Sequence, residues 1–293
     1  MNKHRLNTLS TPDREIADLT KLGVKDALLI GRYRYNSARQ KLDSHVHKGM
    51  MEICYCHKGK QAYEVNNKTY YLKGGDVFVT FPDELHSTGN HPEEKGVLYW
   101  LVIKIPRTEK GFFHYSNKES KPIIDALLNL PLRHFKGNVK MKTTLENILE
   151  VARKNEVGLQ RIILDNLLVS FLIQVITEAG NVCQNPKQPS DNMAKIDSFI
   201  ANNFKEELSI EMMAKMLNLS ESRFKGWFKG EFGVPPLEFI LRKRIEEAKI
   251  LMQTQPLLKM SDVAYSLGFS SPQYFATVFK RYTFLSPKEY KAI

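Results

Sequence analysis

The fold is decided by the stretch Ser209-Ile-Glu-Met-Met-Ala-Lys-Met-Leu-Asn-Leu-Ser220, because the chain repeats its pattern at Ser261-Asp-Val-Ala-Tyr-Ser-Leu-Gly-Phe-Ser-Ser271. Each copy continues into a second segment, which reads Glu221-Ser-Arg-Phe-Lys-Gly-Trp-Phe-Lys229 in the first and Pro272-Gln-Tyr-Phe-Ala-Thr-Val-Phe-Lys280 in the second. When the copies are superposed, Phe224 matches Phe275. The repeat predicts two copies of one structural unit.

Each copy has the pattern of a helix-turn-helix: an apolar-periodic first helix, a tight turn, and a Ser that can cap a second helix. Aromatic residues recur at helical spacing in the second helix and must face the core. On the opposite face, short polar side chains near the N-terminus can reach base edges, and Lys or Arg further along can meet phosphates. The predicted DNA contacts are Ser222, Arg223, Lys225, Lys229, Gln273, Thr277, Lys280 and Arg281.

The alternative is a bundle of helical hairpins whose charged outer face serves only solubility. Two such units in tandem, joined by a helix that carries Arg242-Lys-Arg244, favour DNA binding instead. The net charge of the chain does not support the prediction of DNA binding. The whole chain has a net charge of +11, but residues 191–293 hold 15 Lys and Arg against 12 Asp and Glu.

At these residues the chain resembles the AraC/XylS family of bacterial transcription regulators. The resemblance covers about the last hundred residues, including the joining helix and the tail. It implies that both recognition helices enter successive major-groove turns, roughly 34 Å apart, on one face of the duplex. Two positions depart from the family pattern: Phe284 stands where Gly is usual, and Gly226 stands where a base-reading side chain is frequent. Gly226 suggests that the first helix reads DNA through Ser222 and Lys225, or largely through its backbone.

From about residue 26 to 105 the pattern is extended, with short β-prone runs between turns. This spacing predicts a small antiparallel barrel or jelly roll. The fold class is therefore α+β with two domains, a cupin-like antiparallel β-barrel followed by helices and an all-α double helix-turn-helix. The predicted strands include Met51–Cys56, Gln61–Val65 and Val97–Ile103, and the predicted turns are Lys58-Gly59, Asn66-Asn67 and Gly74-Gly75.

Within these strands, His45, His47, Glu52 and Gly59, followed by Gly75, Pro82 and His86, resemble the two motifs of the cupin family. In metal cupins those positions supply three histidines and one carboxylate, a set that suits zinc, iron, manganese or nickel. Sensor domains of AraC-like regulators keep a similar motif while binding an organic effector and no metal. The histidines then hydrogen-bond the effector or satisfy core polar groups.

We predict an effector site, with a sugar or sugar acid as the ligand, and no catalytic residue, cofactor or metal. Its residues are His45, His47, Glu52, His86, Tyr33 and Trp100. The aromatic side chains either stack on a sugar ring or belong to the core, and periodicity does not decide between these roles. Two alternatives stay open: a metal-dependent cupin enzyme that uses His45, His47, Glu52 and His86, and an effector-independent protein whose barrel interior is collapsed.

Residues 141–180 return to a helical pattern with an apolar stripe that includes Val157, Ile162 and Ile163. In the resembled regulators a helix pair of this kind forms the dimer, although packing on the barrel alone explains the stripe equally well. Residues 181–192 lose this periodicity and contain two prolines, which predicts a linker. The predicted domains are 1–140 for effector binding, 141–180 for dimerisation, 181–192 as linker and 193–293 for DNA binding.

The chain has no unbroken run of about 18 apolar residues and begins without the apolar stretch of a secretory signal. Three cysteines, Cys54, Cys56 and Cys183, are an odd number that agrees with a reducing compartment. We therefore predict a cytoplasmic transcription regulator that is not an enzyme. Its expected partners are double-stranded promoter DNA, a small effector, a second copy of itself and, if it activates, RNA polymerase, with no membrane.

Overall fold

The computed structural model describes residues 9–106, 111–154, 159–184, 191–206 and 208–292. Val157 and the two linker prolines therefore lie outside the described residues. The chain divides into two compact units. The sheet unit comprises Met1–Tyr35, Lys41–Asn90 and Gly96–Lys187, and the helical unit comprises Asn36–Gln40, His91–Lys95 and Gln188–Ile293.

In the described part of the sheet unit there are nine antiparallel strands, six of which form the path β1-β2-β8-β4-β6-β9. Strand β4 also pairs with β5 and β7, and β7 pairs with β3. The strands are β1 (Arg14–Asp18), β2 (Ala27–Tyr35), β3 (His45–Val46), β4 (Met50–Val65), β5 (Lys68–Lys73), β6 (Asp76–Thr80), β7 (Leu85–Ser87), β8 (Gly96–Lys104) and β9 (His134–Lys136). Asn66 and Asn67, both with positive φ, form the two-residue turn predicted between β4 and β5.

The predicted turn at Lys58-Gly59 is wrong, because β4 runs through it as one strand of 16 residues. The pairing of β4 with β8 shifts its register between Cys56 and Lys58, which marks a β-bulge. Gly59 has a φ of +93°, a conformation that glycine adopts without strain. The bulge bends β4, so that its first half pairs with β6 and its second half pairs with β5 and β7.

The predicted two-domain α+β class is confirmed, but the expected closed barrel is wrong in one respect. Edge strands β1 and β9 do not pair with each other, so the sheet stays open. Helices rather than closure bury one apolar face: Ile53, Tyr99 and Leu101 form one core with residues of the following helices. The other face, with Cys54, Leu98 and Trp100, forms a second core where the bent sheet covers itself. Burial on both faces explains the unbroken apolar run of β8.

Three α-helices follow in the residues that the structure describes: α1 (Asn117–Leu128), α2 (Val139–Arg153) and α3 (Leu159–Gln184). Helix α3 packs Leu168, Phe171 and Leu172 into the first core. Among the described residues, α3 is the one helix that is long and apolar enough to cross a membrane by length and composition. A fully buried face against a sheet is also what the core helix of a globular domain shows, and it explains the same composition.

The helical unit contains seven helices within the described residues. They are α4 (Asp191–Asn203), α5 (Ile210–Met216), α6 (Glu221–Phe232), α7 (Pro236–Thr254), α8 (Met260–Ser266), α9 (Pro272–Thr283) and α10 (Pro287–Lys291). Each repeat has its own core: Phe224 and Phe228 lie in the first, and Phe275 and Phe279 lie in the second. Helix α7 contributes to both cores and thereby joins them.

Candidate functional site

The second helix of each repeat begins at the predicted Ser. Ser220 Oγ accepts a hydrogen bond from the backbone N of Arg223 at 3.4 Å, and Ser271 Oγ accepts one from the backbone N of Tyr274 at 3.1 Å. Each bond satisfies one of the free amide groups at a helix N-terminus. The predicted capping of α6 and α9 is therefore confirmed.

The predicted DNA contacts lie on the solvent side of α6 and α9, opposite the buried phenylalanines. All are exposed except Arg281, which is half-buried. Lys225 pairs with Glu221 of its own helix at 3.1 Å, an exposed pair with a side-chain exposure of about half on each partner. Such a pair is weak and can be exchanged for a phosphate contact.

The basic triplet of α7, part of the argument for DNA binding, is mostly structural. Arg244 donates from Nε to the backbone O of Phe204 at 2.7 Å and from Nη1 to the backbone O of Gly268 at 2.6 Å. Arg242 is buried, pairs with Glu238 at 3.0 Å and lies over the ring of Tyr282. Arg242 is buried and Arg244 is half-buried with three backbone acceptors, so both arginines have structural roles within the helical unit.

The structure brings His45, His47, Glu52 and His86 together on the second core face of the sheet. Strand β3 pairs with β7, which places His45 directly opposite His86. Glu52 Oε2 lies 3.0 Å from His47 Nε2 and 3.2 Å from His86 Nε2. One ligand atom from each of the four residues lies within 4.8 Å of every other. We call these four residues the histidine cluster.

Burial governs the electrostatics of the histidine cluster. Burial disfavours the charged carboxylate of Glu52 and would raise its pKa. The hydrogen bonds from His47 and His86 have the larger effect and hold the pKa of Glu52 well below its usual range. For His86, burial favours the neutral ring, but the hydrogen bond and charge of Glu52 outweigh it and raise the pKa. Burial, with the nearby His86, lowers the pKa of His45. The cluster thus holds one carboxylate among imidazoles of unequal basicity.

The donors of the histidine cluster also fit a metal ion. His45 Nδ1 lies 2.8 Å from the backbone O of Asp43, and His86 Nδ1 lies 3.1 Å from the backbone O of Glu84. A carbonyl only accepts, so each Nδ1 carries a proton, and a metal ion would replace the Nε2 proton that His86 donates to Glu52, which makes Nε2 the ligand atom. Tetrahedral zinc, with bonds of about 2.0–2.1 Å, would need donors roughly 3.3 Å apart, so the more distant of these ligand atoms, which lie within 4.8 Å of one another, would have to move closer.

Tyr33 and Trp100 lie in the same core, but neighbouring side chains cover their rings. Tyr33 stacks on Tyr35 with ring centroids 4.2 Å apart, and its hydroxyl donates to Gln61 Oε1 at 3.0 Å. Trp100 lies so close to Gly31 that a Cβ there would overlap the indole, and the guanidinium of Arg14 is 4.7 Å from the Trp100 ring centroid. The structure gives both aromatic residues packing partners, which is the core alternative left open by the sequence.

A pocket of about 250 Å³ opens beside strands β3 and β7, next to the histidine cluster in sequence. Its lining is mainly polar and includes residues that sequence reasoning missed. They are Lys41, Leu42, Asp43, Ser44, Glu64, Ser87, Gly89 and Asn90. These residues come from three separate segments with no shared motif, so their one signal in the sequence is proximity to His45 and His86.

Two family models match the chain, one within each unit. The model of an AraC-like ligand binding domain matches residues 30–108, and the model of a helix-turn-helix domain matches residues 213–293. The chain belongs to the AraC family of transcription regulators. As a member of the AraC family it is a DNA-binding transcription regulator with a ligand-binding domain.

Individual AraC-family relatives extend over different parts of the chain. The probable transcriptional regulator LumQ of Photobacterium leiognathi is 34% identical over 102 residues, which are 34% of this chain and 40% of LumQ. The arabinose operon regulatory protein of Escherichia coli K12 is 25% identical over 237 residues, 80% of this chain and 78% of that protein. The solved structure of ToxT from Vibrio cholerae is 18% identical, covers 92% of this chain and 98% of ToxT, and has a TM-score of 0.36.

The backbone at Phe284, where the AraC-family pattern usually has Gly, has a conformation that favours glycine. Phe284 follows α9 with a φ of +72°, and Gly233 follows α6 with a φ of +77°. Both positions therefore use the left-handed conformation that commonly ends a helix. Glycine adopts this conformation without strain, whereas the side chain of Phe284 makes it energetically unfavourable.

Proposed function

We propose that this AraC-family protein changes the transcription of its target genes when a small polar ligand, of the sugar or sugar-acid class, binds the sheet unit. The proposal is supported by two features of the segment that matches an AraC-like ligand-binding domain: the convergence of three imidazoles and a carboxylate, and a polar pocket lined by residues next to His45 and His86 in the sequence. Several hydrogen-bonding groups around a concave space are what a polyhydroxylated ligand needs. One relative is, by name, the regulator of the arabinose operon.

The ligand enters at the pocket rather than deep in the core. The second core behind the histidine cluster is filled by mutually packed side chains such as Tyr63 and Phe78, whose ring centroids are 5.1 Å apart. A volume of about 250 Å³ suits a molecule smaller than most drugs. In this proposal, Glu64 and Asn90 bind hydroxyl groups, and the histidine cluster supplies further donors and acceptors.

On DNA, the exposed sides of α6 and α9 contact the duplex through the eight predicted residues. A dimer forms through α3, whose outer side exposes Leu159, Ile162, Ile163 and Ile173. Apolar side chains at this spacing form a stripe that a second copy can cover. The protein acts in the cytoplasm, and an activating form contacts RNA polymerase.

The test combines ligand binding with DNA binding. Purified full-length protein is screened by thermal shift against sugars and sugar acids, and the strongest ligand is then added to binding assays on duplexes selected from a random library. We expect the ligand to raise the melting temperature and to change the affinity for selected duplexes at least threefold. Glu64→Ala should abolish both effects, whereas Lys21→Ala, a substitution at a lysine side chain 80% exposed, should preserve them. If the ligand still had both effects on the Glu64→Ala variant, the proposed binding of the ligand in this pocket would be wrong.

A second candidate is a sheet unit that binds a divalent transition metal, favoured by the four converging ligand atoms of the histidine cluster. A metal held there would supply a Lewis acid. Metal analysis of purified protein should then find about one ion per chain. The ion should be lost in His86→Ala and retained in His57→Ala, which changes a histidine outside the cluster. Equal metal content in both variants would exclude this candidate.

A further inference from the structure

The two recognition helices present different outer surfaces, although their inner surfaces match. Superposing Phe224 on Phe275 aligns Ser222 with Gln273, Gly226 with Thr277 and Gly230 with Arg281. Residues four apart lie along one line of a helix. In α6 this line carries one short hydroxyl and two glycines, all exposed. In α9 it carries an amide, a β-branched hydroxyl and a guanidinium.

Packing within the helical unit does not require the two glycines of α6. A Cβ built at Gly226 or at Gly230 would meet no atom within 4 Å. Neither glycine has a positive φ. Gly268 is a contrasting case, because it has a φ of +74° and a Cβ there would overlap the carbonyl oxygen of Lys205. Glycine in the interior of an exposed helix is destabilising relative to alanine. The stability of the helical unit therefore does not explain the two glycines on the outer surface of α6.

A bare helix surface cannot identify bases. Base pairs are distinguished in the major groove by side-chain donors, acceptors and methyl groups. Glycine has none of these, and mid-helix backbone groups are already hydrogen-bonded along the helix. In α9, by contrast, Gln273 offers an amide suited to adenine. Thr277 donates its hydroxyl to the backbone O of Gln273 at 2.9 Å, which leaves its methyl group for contact with thymine.

We propose that base discrimination is concentrated in α9, and that α6 is a docking helix with little base preference whose glycine line lets its backbone lie close to the duplex. The inference rests on the proposed contact of both helices with DNA. Basic residues flank the glycine line, with Lys225 and Lys229 on one side and Arg223 on the other, at positions suited to phosphates. One half of the operator is therefore read by side chains, and the other half is held mainly through its phosphate backbone.

The first experiment measures where the binding site tolerates base changes. Full-length protein selects duplexes from a library with a random central segment, and every single-base variant of the best duplex is then assayed. We expect one half-site in which individual changes weaken binding at least tenfold, and another in which changes have less than a twofold effect. Gln273→Ala should relax the base preference of the first half-site and leave the second half-site unchanged. Equal discrimination in both halves would overturn the inference while leaving DNA binding intact. Failure to retain any duplex over scrambled DNA would overturn the proposed function and the inference together.

The second experiment tests the glycine line directly. Gly226→Ala and Gly230→Ala should raise the denaturant midpoint of unfolding, yet weaken binding to selected and scrambled duplexes alike, by at least threefold each. Gly180→Ala is the matched control, because a Cβ at Gly180 in α3 would also meet nothing within 4 Å. It should raise stability without changing DNA affinity. Unchanged affinity in both α6 variants would contradict close approach of this helix.

A gain-of-function variant completes the test. Ser222→Gln, Gly226→Thr and Gly230→Arg together copy the outer line of α9 onto α6. We expect the half-site that contacts α6 to acquire a base preference of at least fivefold. A folded triple variant with an unchanged tolerance profile would show that the missing side chains are not the cause.

Discussion

At the scale of single residues, Phe284 is held in a conformation that its side chain disfavours. Its φ of +72° lies in the left-handed region, which costs a non-glycine residue about 1–2 kcal/mol. Phe284 is 41% exposed and is not among the side chains of either repeat core. Phe284→Gly should therefore stabilise the helical unit by roughly 0.5–1 kcal/mol, after allowance for the greater freedom of glycine in the unfolded chain.

Denaturant unfolding of the full-length protein measures this effect. The equivalent position in the first repeat supplies the control, because Gly233→Ala places a side chain at a φ of +77° and should destabilise by about 1 kcal/mol. Stabilisation by both substitutions, or by neither, would argue against backbone strain at Phe284. DNA affinity should not change, because neither residue lies on the outer surface of α6 or α9.

At the scale of elements, the turn of the second repeat depends on one arginine of α7. Arg244 donates to the backbone oxygens of Phe204, Glu206 and Gly268 at 2.7, 2.9 and 2.6 Å. These carbonyls follow α4 and α8, so a single guanidinium links three helices. Arg244→Ala would leave charge-assisted hydrogen bonds unmade, and we expect a loss of roughly 2–3 kcal/mol in the free energy of unfolding.

Lys243→Ala is the matched control for Arg244→Ala, since Lys243 is the preceding residue of the same helix. Its ammonium lies 3.6 Å from Asp197 Oδ1, in a pair with side-chain exposures of 40% and 48%. An exposed pair of this kind contributes little, so the control should cost less than about 0.5 kcal/mol. Comparable losses of unfolding free energy in the two variants would contradict the stabilising role of the three Arg244 hydrogen bonds. The sequence marks both residues only as basic, and their different roles follow from the direction in which each faces.

At the scale of the whole molecule, α3 is expected to set the oligomeric state. Ile162 and Ile163 are 51% and 44% exposed on a helix whose other side is buried. Ile162→Arg should convert the dimer to a monomer in sedimentation experiments, because an interface does not tolerate an unpaired charge. Leu257→Arg, at a leucine that is 97% exposed in the helical unit, serves as control and should leave the mass unchanged. A dimer in both variants would place the interface elsewhere.

The sequence by itself determined the parts of this protein that depend on local periodicity and short motifs. The repeated pattern around Phe224 and Phe275, with its capping serines, was sufficient for both helix-turn-helix units, because helical spacing and N-caps are properties of neighbouring residues. The β-prone runs of β4 and β8 predicted their strands for the same reason. The grouping of His45, His47, Glu52 and His86 was expected from resemblance and is confirmed as a geometric cluster.

Tertiary structure decided what depends on residues far apart in the chain. The bulge after Cys56 turned two predicted strands into one, and helices rather than closure cover the sheet. Trp100 packs against Gly31, whereas periodicity alone allowed it to face a ligand. Arg244 binds backbone carbonyl groups that lie 24 to 40 residues away in the sequence. In each case the energy comes from burial and hydrogen bonding to distant partners, which outweigh local preference and which no window of neighbouring residues contains.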